Sequence, residues 1–383
     1  MRMPRLRPGV GAGIDSEGHL RVIFFSQSRH VVYAAEPPVI DAVRLLIDGT
    51  GTDTMLDELR SAHPGFSRTD LDEILTALDD EGALDDAAAA PTTALDELEL
   101  VRYGRQIDLF HDFTGFTGAR DADDHAADGS VHPLQAQRRL RQATVTVIGV
   151  GGTGTWMAQS LALTGIGHLR LVDPDVVELS NLSRQVLYSA EDLGLPKAEA
   201  ASRRLNDVTG SGVRVTAVGT RLGPDTDLDT LLAGSDLVVN CADEPDINTT
   251  ARWISRSCTA LGIPHIVGGA YAGHVGMIGP TIVPGSTACW TCYERDNVRR
   301  GDGETITPLS PHRDRHTAAF APLSAIVANL QTWDAVRVLS GIAPPLLANR
   351  LGELDLRTMR LDWREVPQDP DCPACGGPSD DQH

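Results

Sequence analysis

Residues 143–175 read ATVTVIGVGGTGTWMAQSLALTGIGHLRLVDPD, a β-branched run, a glycine turn, an apolar helical stretch and a second β-rich run. Val145, Val147 and Ile148 belong to the first strand. Gly149, Gly151 and Gly154 supply the GxGxxG spacing, with Gly152 between them, that lets backbone approach a phosphate at a helix N-terminus. Asp173 stands 19 residues past Gly154, where the second strand ends and a ribose hydroxyl is expected. These residues alone fit a nicotinamide or flavin enzyme as well as any other nucleotide binder.

The stretch that follows separates the possibilities. Residues 173–188, DPDVVELSNLSRQVLY, place Asn181, Arg184 and Gln185 close behind the acid, and Lys197 follows in LGLPKAEAA. A dinucleotide's pyrophosphate carries about two negative charges and is largely served by the helix end. ATP carries about four and needs cationic side chains on the transferring phosphate. Arg184 and Lys197 supply that charge, while Asn181 and Gln185 add neutral donors. The run VVNCADEPD, residues 238–246, starts as another strand and offers Asp243 as a carboxylate for magnesium. Mg²⁺ needs only one or two carboxylates besides phosphate oxygens.

Taken in order, GxGGxG, VDPDVVELSNLSRQ, LGLPKAEAA and CADEPD resemble the ThiF/MoeB adenylyltransferases, relatives of the ubiquitin-activating enzymes, over roughly residues 98–376. The resemblance implies that Asp173 binds the ATP ribose, that Asn181, Arg184, Gln185 and Lys197 hold the phosphates, and that Asp243 binds magnesium. In the family an arginine of an RYxRQ segment reaches the neighbouring subunit's triphosphate. RYGRQ at 102–106 makes that residue Arg105 and implies a homodimer.

Two CxxC hooks, Cys289/Cys292 and Cys372/Cys375, account for four of the six cysteines. Four thiolates fill the shell of a tetrahedral Zn²⁺, so such a site is structural; two redox pairs are the alternative. Cys241 and Cys258 read as core cysteines. The sulfur- and ubiquitin-activating branches carry a reactive cysteine after the first hook, yet residues 293–320 hold none. Chemistry is therefore expected to stop at an acyl adenylate taken by another nucleophile. That segment carries Arg295, Arg299, Arg300, Arg313, Arg315, His312 and His316, which either clamp an acidic peptide or solvate a crossover loop.

Ahead of all this, residues 19–26 and 29–34 suggest a hairpin, and three helical stretches follow, the last opening at Ser67 as a possible cap. A winged-helix DNA binder would look similar, but residues 1–90 hold 8 Arg or Lys against 16 Asp or Glu. PRLRPGV, RLLIDGTGTDTMLDEL and LDEILTALDDEGALDD resemble the PqqD-like leader-peptide-binding domain; a scaffolding domain without a ligand is the alternative.

With 383 residues, two domains are expected. The plan is a PqqD-like unit at 1–90, a linker at 91–133 containing the RYGRQ helix and an acidic loop, and an adenylation domain at 134–383. The fold class is α/β: a Rossmann-like domain with a mixed sheet, preceded by a small winged-helix-like α+β domain. A formal net charge of −20 argues against nucleic acid. No apolar run suits a membrane or a signal peptide, so a cytoplasmic protein is expected. ATP, Mg²⁺ and structural Zn²⁺ are the expected cofactors, and a precursor peptide held by its leader is the expected partner. The expected reaction is adenylation of a peptide carboxylate. An adaptor for a YcaO-type cyclodehydratase and a sulfur-carrier adenylyltransferase are the alternatives.

Overall fold

A computed structural model describes residues 3–87, 95–113, 131–210, 212–301 and 318–376. The acidic loop, most of the crossover segment and the tail beyond Gly376 lie outside the described residues. The chain divides into two compact units, residues 1–138 and 139–383.

The first unit runs β1 (Pro4–Leu6), β2 (Val10–Ile14), β3 (Leu20–Phe24), β4 (Arg29–Tyr33), α1 (Pro37–Asp48), α2 (Thr52–Ala62), α3 (Arg68–Asp80), β5 (Leu84–Asp86) and α4 (Glu97–His111); the division falls inside α5 (Pro133–Gln142). In LRVIF the alternation turns Leu20, Val22 and Phe24 to the core. There they meet Val43 and Leu46 of α1, Met55 and Leu59 of α2, and Leu71 and Leu78 of α3. Prolines at the start of α1 and a left-handed Gly49 at its end fix its length. Ser67 caps α3 in a reciprocal box with Asp70, as its position suggested. The expected hairpin is the β3–β4 pair, and β2 extends it to the order β2-β3-β4, leaving β4 as an edge. A short β1–β5 pair, Pro4 opposite Asp86, ties the two ends of this α+β layer together.

The second unit continues with β6 (Thr144–Ile148), α6 (Gly152–Leu163), β7 (His168–Val172), α7 (Lys197–Thr209), β8 (Arg214–Val218), α8 (Leu228–Leu232), β9 (Leu237–Asn240), α9 (Ile247–Leu261) and β10 (His265–Val267). Then come β11 (Ala270–Ala272), β12 (Val275–Ile278), β13 (Thr281–Ile282), α10 (Trp290–Arg299), α11 (Ala321–Ser340), β14 (Arg350–Asp355) and β15 (Arg360–Glu365). The main sheet has the order β13-β10-β9-β6-β7-β8, parallel except where β13 meets β10, which makes it the expected mixed sheet. β9 is apolar at Leu237–Val239 and buried throughout, as a strand covered on both faces must be. The chain leaves β6 toward β7 and β8 on one side and returns to β9 and β10 on the other. β6 is thus the switch point, and a ligand crevice is expected beyond its C-terminal end. An antiparallel sheet β11-β12-β14-β15 packs Ile278 and Leu354 on Leu323 and Val327 of α11. Among the described residues no helix is long and apolar enough to cross a membrane.

Candidate active site

The crevice beyond β6 is a cavity of about 450 Å³, walled by the turns after β6, β7, β9 and β10. Its floor is the glycine turn. Gly149 sits at φ +83°, where a Cβ would also strike the Cys241 carbonyl at 2.7 Å. Gly149, Gly151 and Gly152 line the cavity, whereas Gly154 lies behind it, its Cα so close to Gly149 that a Cβ would stand 1.9 Å from that carbonyl oxygen.

Asp173 is buried and lines the same wall. Its carboxylate accepts the Val150 N–H at 2.8 Å and the Asp175 N–H at 2.9 Å, so it braces the glycine turn. Burial pushes its pKa up, and nearby Lys197 opposes that shift. The Tyr188 hydroxyl donates to the Val150 carbonyl at 2.8 Å and fixes the turn from its other side.

A short 3₁₀ turn at Leu179–Ser183 carries Asn181, whose side-chain oxygen accepts the Glu178 N–H at 3.0 Å. Arg184 follows. Its Nε donates to the Tyr271 hydroxyl at 3.1 Å and its Nη1 to the Ser180 carbonyl at 3.0 Å, while its own carbonyl accepts the Trp156 indole N–H at 3.0 Å. Gln185 is 4% exposed, and its Oε1 is buried without a hydrogen-bond partner. An orphaned amide oxygen at a cavity wall is an acceptor that a donor on a bound molecule would satisfy.

Lys197 opens α7. Its ammonium lies 3.1 Å from the Asp175 carboxylate and its backbone N–H donates to the Asp175 carbonyl at 2.8 Å. Arg221, after β8, donates to the same carboxylate at 2.9 Å and pairs with Glu244. Asp243 stands exposed on the loop after β9. Asn240 shapes that loop by accepting the Ala242 N–H at 3.0 Å, and the Thr250 hydroxyl donates to the Ala242 carbonyl at 2.8 Å. Asp173, Asn181, Arg184, Gln185, Lys197 and Asp243, over 60 positions apart at their extremes, thus share one cavity. Arg105 belongs to the first unit and is exposed on α4.

Tyr271, Arg221 and Glu244 also line the cavity, and sequence reasoning passed over all three. Glu244 lies within the CADEPD motif and was legible there; Tyr271 and Arg221 lie on no recognisable motif. Cys241 needs a correction. It is half-buried and lines the cavity beyond β6, since β9 ends one residue before it, whereas Cys258 is a core residue. Burial pushes both thiols up to about 12, so neither is a poised thiolate.

The four hook cysteines come together, their sulfur atoms all within 4.8 Å of one another. Cys289 lies 3.9 Å from Cys292 and 3.6 Å from Cys372, and Cys292 lies 3.5 Å from Cys375. Bonds of about 2.3 Å to a tetrahedral zinc imply sulfur–sulfur edges of about 3.8 Å, so the set is one four-thiol group that could hold zinc. The Asp369 N–H points to Cys292 Sγ at 3.5 Å, and the Asp369 carboxylate receives Arg299 at 2.6 Å and Arg295 at 2.9 Å. Arg300 pairs with Asp296 at 2.9 Å, so these three arginines are held in ion pairs around α10. Arg313, Arg315, His312 and His316 lie outside the described residues.

The ThiF family model matches residues 124–375. The sulfur carrier protein ThiS adenylyltransferase of Escherichia coli (strain K12) is 32% identical over 290 residues, 75% of this chain and 99% of that protein. The molybdopterin-synthase adenylyltransferase of the same organism is 29% identical, over 74% of this chain and 98% of its own. Among solved structures, E. coli MccB with ATP has a TM-score of 0.71 at 22% identity, covering 97% of this chain and 99% of its own. PaaA has a TM-score of 0.74 at 24% identity, covering 95% of this chain and all of its own. With the family model over residues 124–375 and these relatives, the chain belongs to the ThiF family and is one of its adenylyltransferases.

Proposed function

We propose that this enzyme uses ATP to adenylate a carboxylate of a ribosomally made precursor peptide, whose leader is held by the first unit, so that the acyl group can enter an amide, a ring or a related bond. The observation that carries this reading is a second concave site, a groove of about 530 Å³ beside β4 and α3 in the first unit, lined by Tyr33, Ala34, Ile74, Ala77 and Leu78. β4 is an edge strand, and a peptide adding to such an edge gains main-chain hydrogen bonds while pockets select side chains. The fold shared with MccB, solved with ATP and with MccA, supports it.

In the proposed reaction a peptide carboxylate oxygen attacks the α-phosphorus of ATP as the bond to the bridging oxygen breaks. Pyrophosphate leaves with that electron pair, and an acyl-AMP remains. The α6 N-terminus and its glycine turn would take phosphate oxygens on backbone N–H groups. Arg184, aimed by Tyr271, and Lys197, once released from Asp175, would stabilise charge that grows on the phosphates. Asp173 would face the ribose, with Asn181 and Gln185 as neutral partners. Asp243 would hold Mg²⁺, which when bound neutralises the departing pyrophosphate. Arg105 would complete the site of a second copy, so the working form would be a homodimer. The four-cysteine group would hold a structural zinc.

Sulfur-carrier adenylation is the second reading, favoured by the 32% identity to the ThiS adenylyltransferase. The absence of any cysteine at 293–320 and the extra groove weigh against it. The adaptor reading is weakened because Arg184, Lys197 and Asp243 all remain at one cavity. Pyrophosphate–ATP exchange decides among the three. Exchange driven by precursor peptides supports the proposal, exchange driven only by a sulfur-carrier protein moves the assignment to the second reading, and no exchange with either leaves the adaptor.

A further inference from the structure

Resting on the leader-binding reading, we infer that the groove of the first unit selects a cationic peptide segment, one in which a Lys or Arg side chain neighbours aliphatic residues. The floor is apolar, formed by Leu20, Val39, Val43, Phe66, Ile74 and Leu78. Three carboxylates stand around it, Glu36 before α1 and Asp70 and Glu73 on α3, all exposed. Among the lining residues none is Lys or Arg, and the single histidine, His63, already meets the Asp41 carboxylate at 2.9 Å. Asp70 is committed to the Ser67 cap, its oxygen 2.7 Å from the Ser67 nitrogen, so Glu36 and Glu73 are the two carboxylates left to meet a ligand.

Charge then decides the occupant. The arginine nearest the far end of β4, Arg29, is held by Glu81 of the α3 C-terminus, donating to its carbonyl at 2.8 Å and pairing with its carboxylate. The Tyr33 hydroxyl donates to the Ala77 carbonyl at 3.3 Å, which leaves Glu36 and Glu73 as the charged groups of the groove wall free to meet a ligand. An acidic segment placed there would be repelled, a neutral one would gain nothing from the two carboxylates, and one with a basic side chain would be attracted. The chain's own residues 114–130 hold four Asp against one Arg, so they are a poor occupant and a separate basic peptide is the better one.

Selection from a random peptide library, displayed between constant flanks, on the full-length protein tests this. Binders that also bind the Ala77→Trp variant, whose groove is filled, are discarded. The remaining groove-dependent binders are expected to be rich in Lys and Arg beside Leu, Ile or Val, and poor in Asp and Glu. The strongest, resynthesised with capped ends, should bind about three- to tenfold more weakly to the Glu36→Gln/Glu73→Gln protein. Replacing its basic residue by Gln should weaken it similarly, and that loss should vanish on the Gln variant. Groove-dependent binders with no basic bias would overturn the charge inference and leave the leader-binding reading standing. A library yielding no groove-dependent binder would overturn both.

Discussion

Lys197 and Arg221 converge on one carboxylate, Asp175, so if Lys197 serves the phosphates, ATP has to compete with that carboxylate for the lysine. The α7 backbone stays anchored through the Asp175 carbonyl whatever its side chain does. Asp175→Asn is therefore expected to tighten ATP binding a few-fold, read by titration calorimetry. Weaker binding would mean that the carboxylate places Lys197 instead of competing with phosphate. Lys197→Ala and Asp243→Ala should each lower pyrophosphate release by about 100-fold or more while leaving the melting temperature near that of the parent. Near-normal release in both would remove the cavity from the chemistry. Most of these residues were legible because they sit at fixed offsets in contiguous stretches whose chemistry is local. Tyr271 and Arg221 were not, since Tyr271 lies 87 positions from Arg184 and Arg221 lies 46 from Asp175. Only the fold brings such partners together.

Among the elements, β10 holds a buried titratable group outside the chemistry. His265 is fully buried, its ring between the Ser255 hydroxyl and the Ile263 carbonyl at 3.2 Å, and burial pushes its pKa down to about 4. The unfolded value is near 6.5, so the native state binds fewer protons between these limits. The neutral ring contributes stability that is fully present above about pH 6.5 and is lost as pH falls toward 4, on the order of 3 kcal/mol in all. Denaturant melts from pH 7 to 4.5 should show that loss, and His265→Asn should flatten it; an unchanged slope would contradict the assignment. The hooks at the start of α10 and after β15 join segments 80 positions apart, so zinc binding there would add directly to folding free energy. Fresh protein should carry about one zinc per chain. Cys372→Ser should lower the melting temperature more than it alters ATP affinity, and zinc-free protein would contradict the site. β6 and α6 were readable from the chain, because a β-branched run and an apolar helical stretch flank the glycine turn directly. The glycine-rich β11–β12 hairpin and the three-residue β1 and β5 were not, because each becomes a strand only through a partner distant in sequence or through packing on α11.

For the whole molecule the open question is whether the site is completed by one chain or two. Arg105 is exposed on α4 of the first unit, and the cavity is lined from the second. If Arg105 serves a second copy across a two-fold axis, each active site draws Asp243 from one chain and Arg105 from the other. Arg105→Ala and Asp243→Ala proteins should then both be nearly inactive alone. Mixed and allowed to exchange subunits, they form heterodimers in which one site carries both lesions and the other carries neither. Random pairing makes about half of all dimers mixed, each with one of two sites intact, so activity should recover to about a quarter of the parent's. If Arg105 acted within its own chain, no mixed dimer would contain an intact site and the mixture would stay inactive. Differently tagged chains confirm that exchange has occurred, so silence in an exchanged mixture would assign Arg105 to its own subunit, while an Arg105→Ala protein active on its own would remove Arg105 from the chemistry. A recovery near one quarter would fix both the two-fold assembly and the direction in which the arginine reaches.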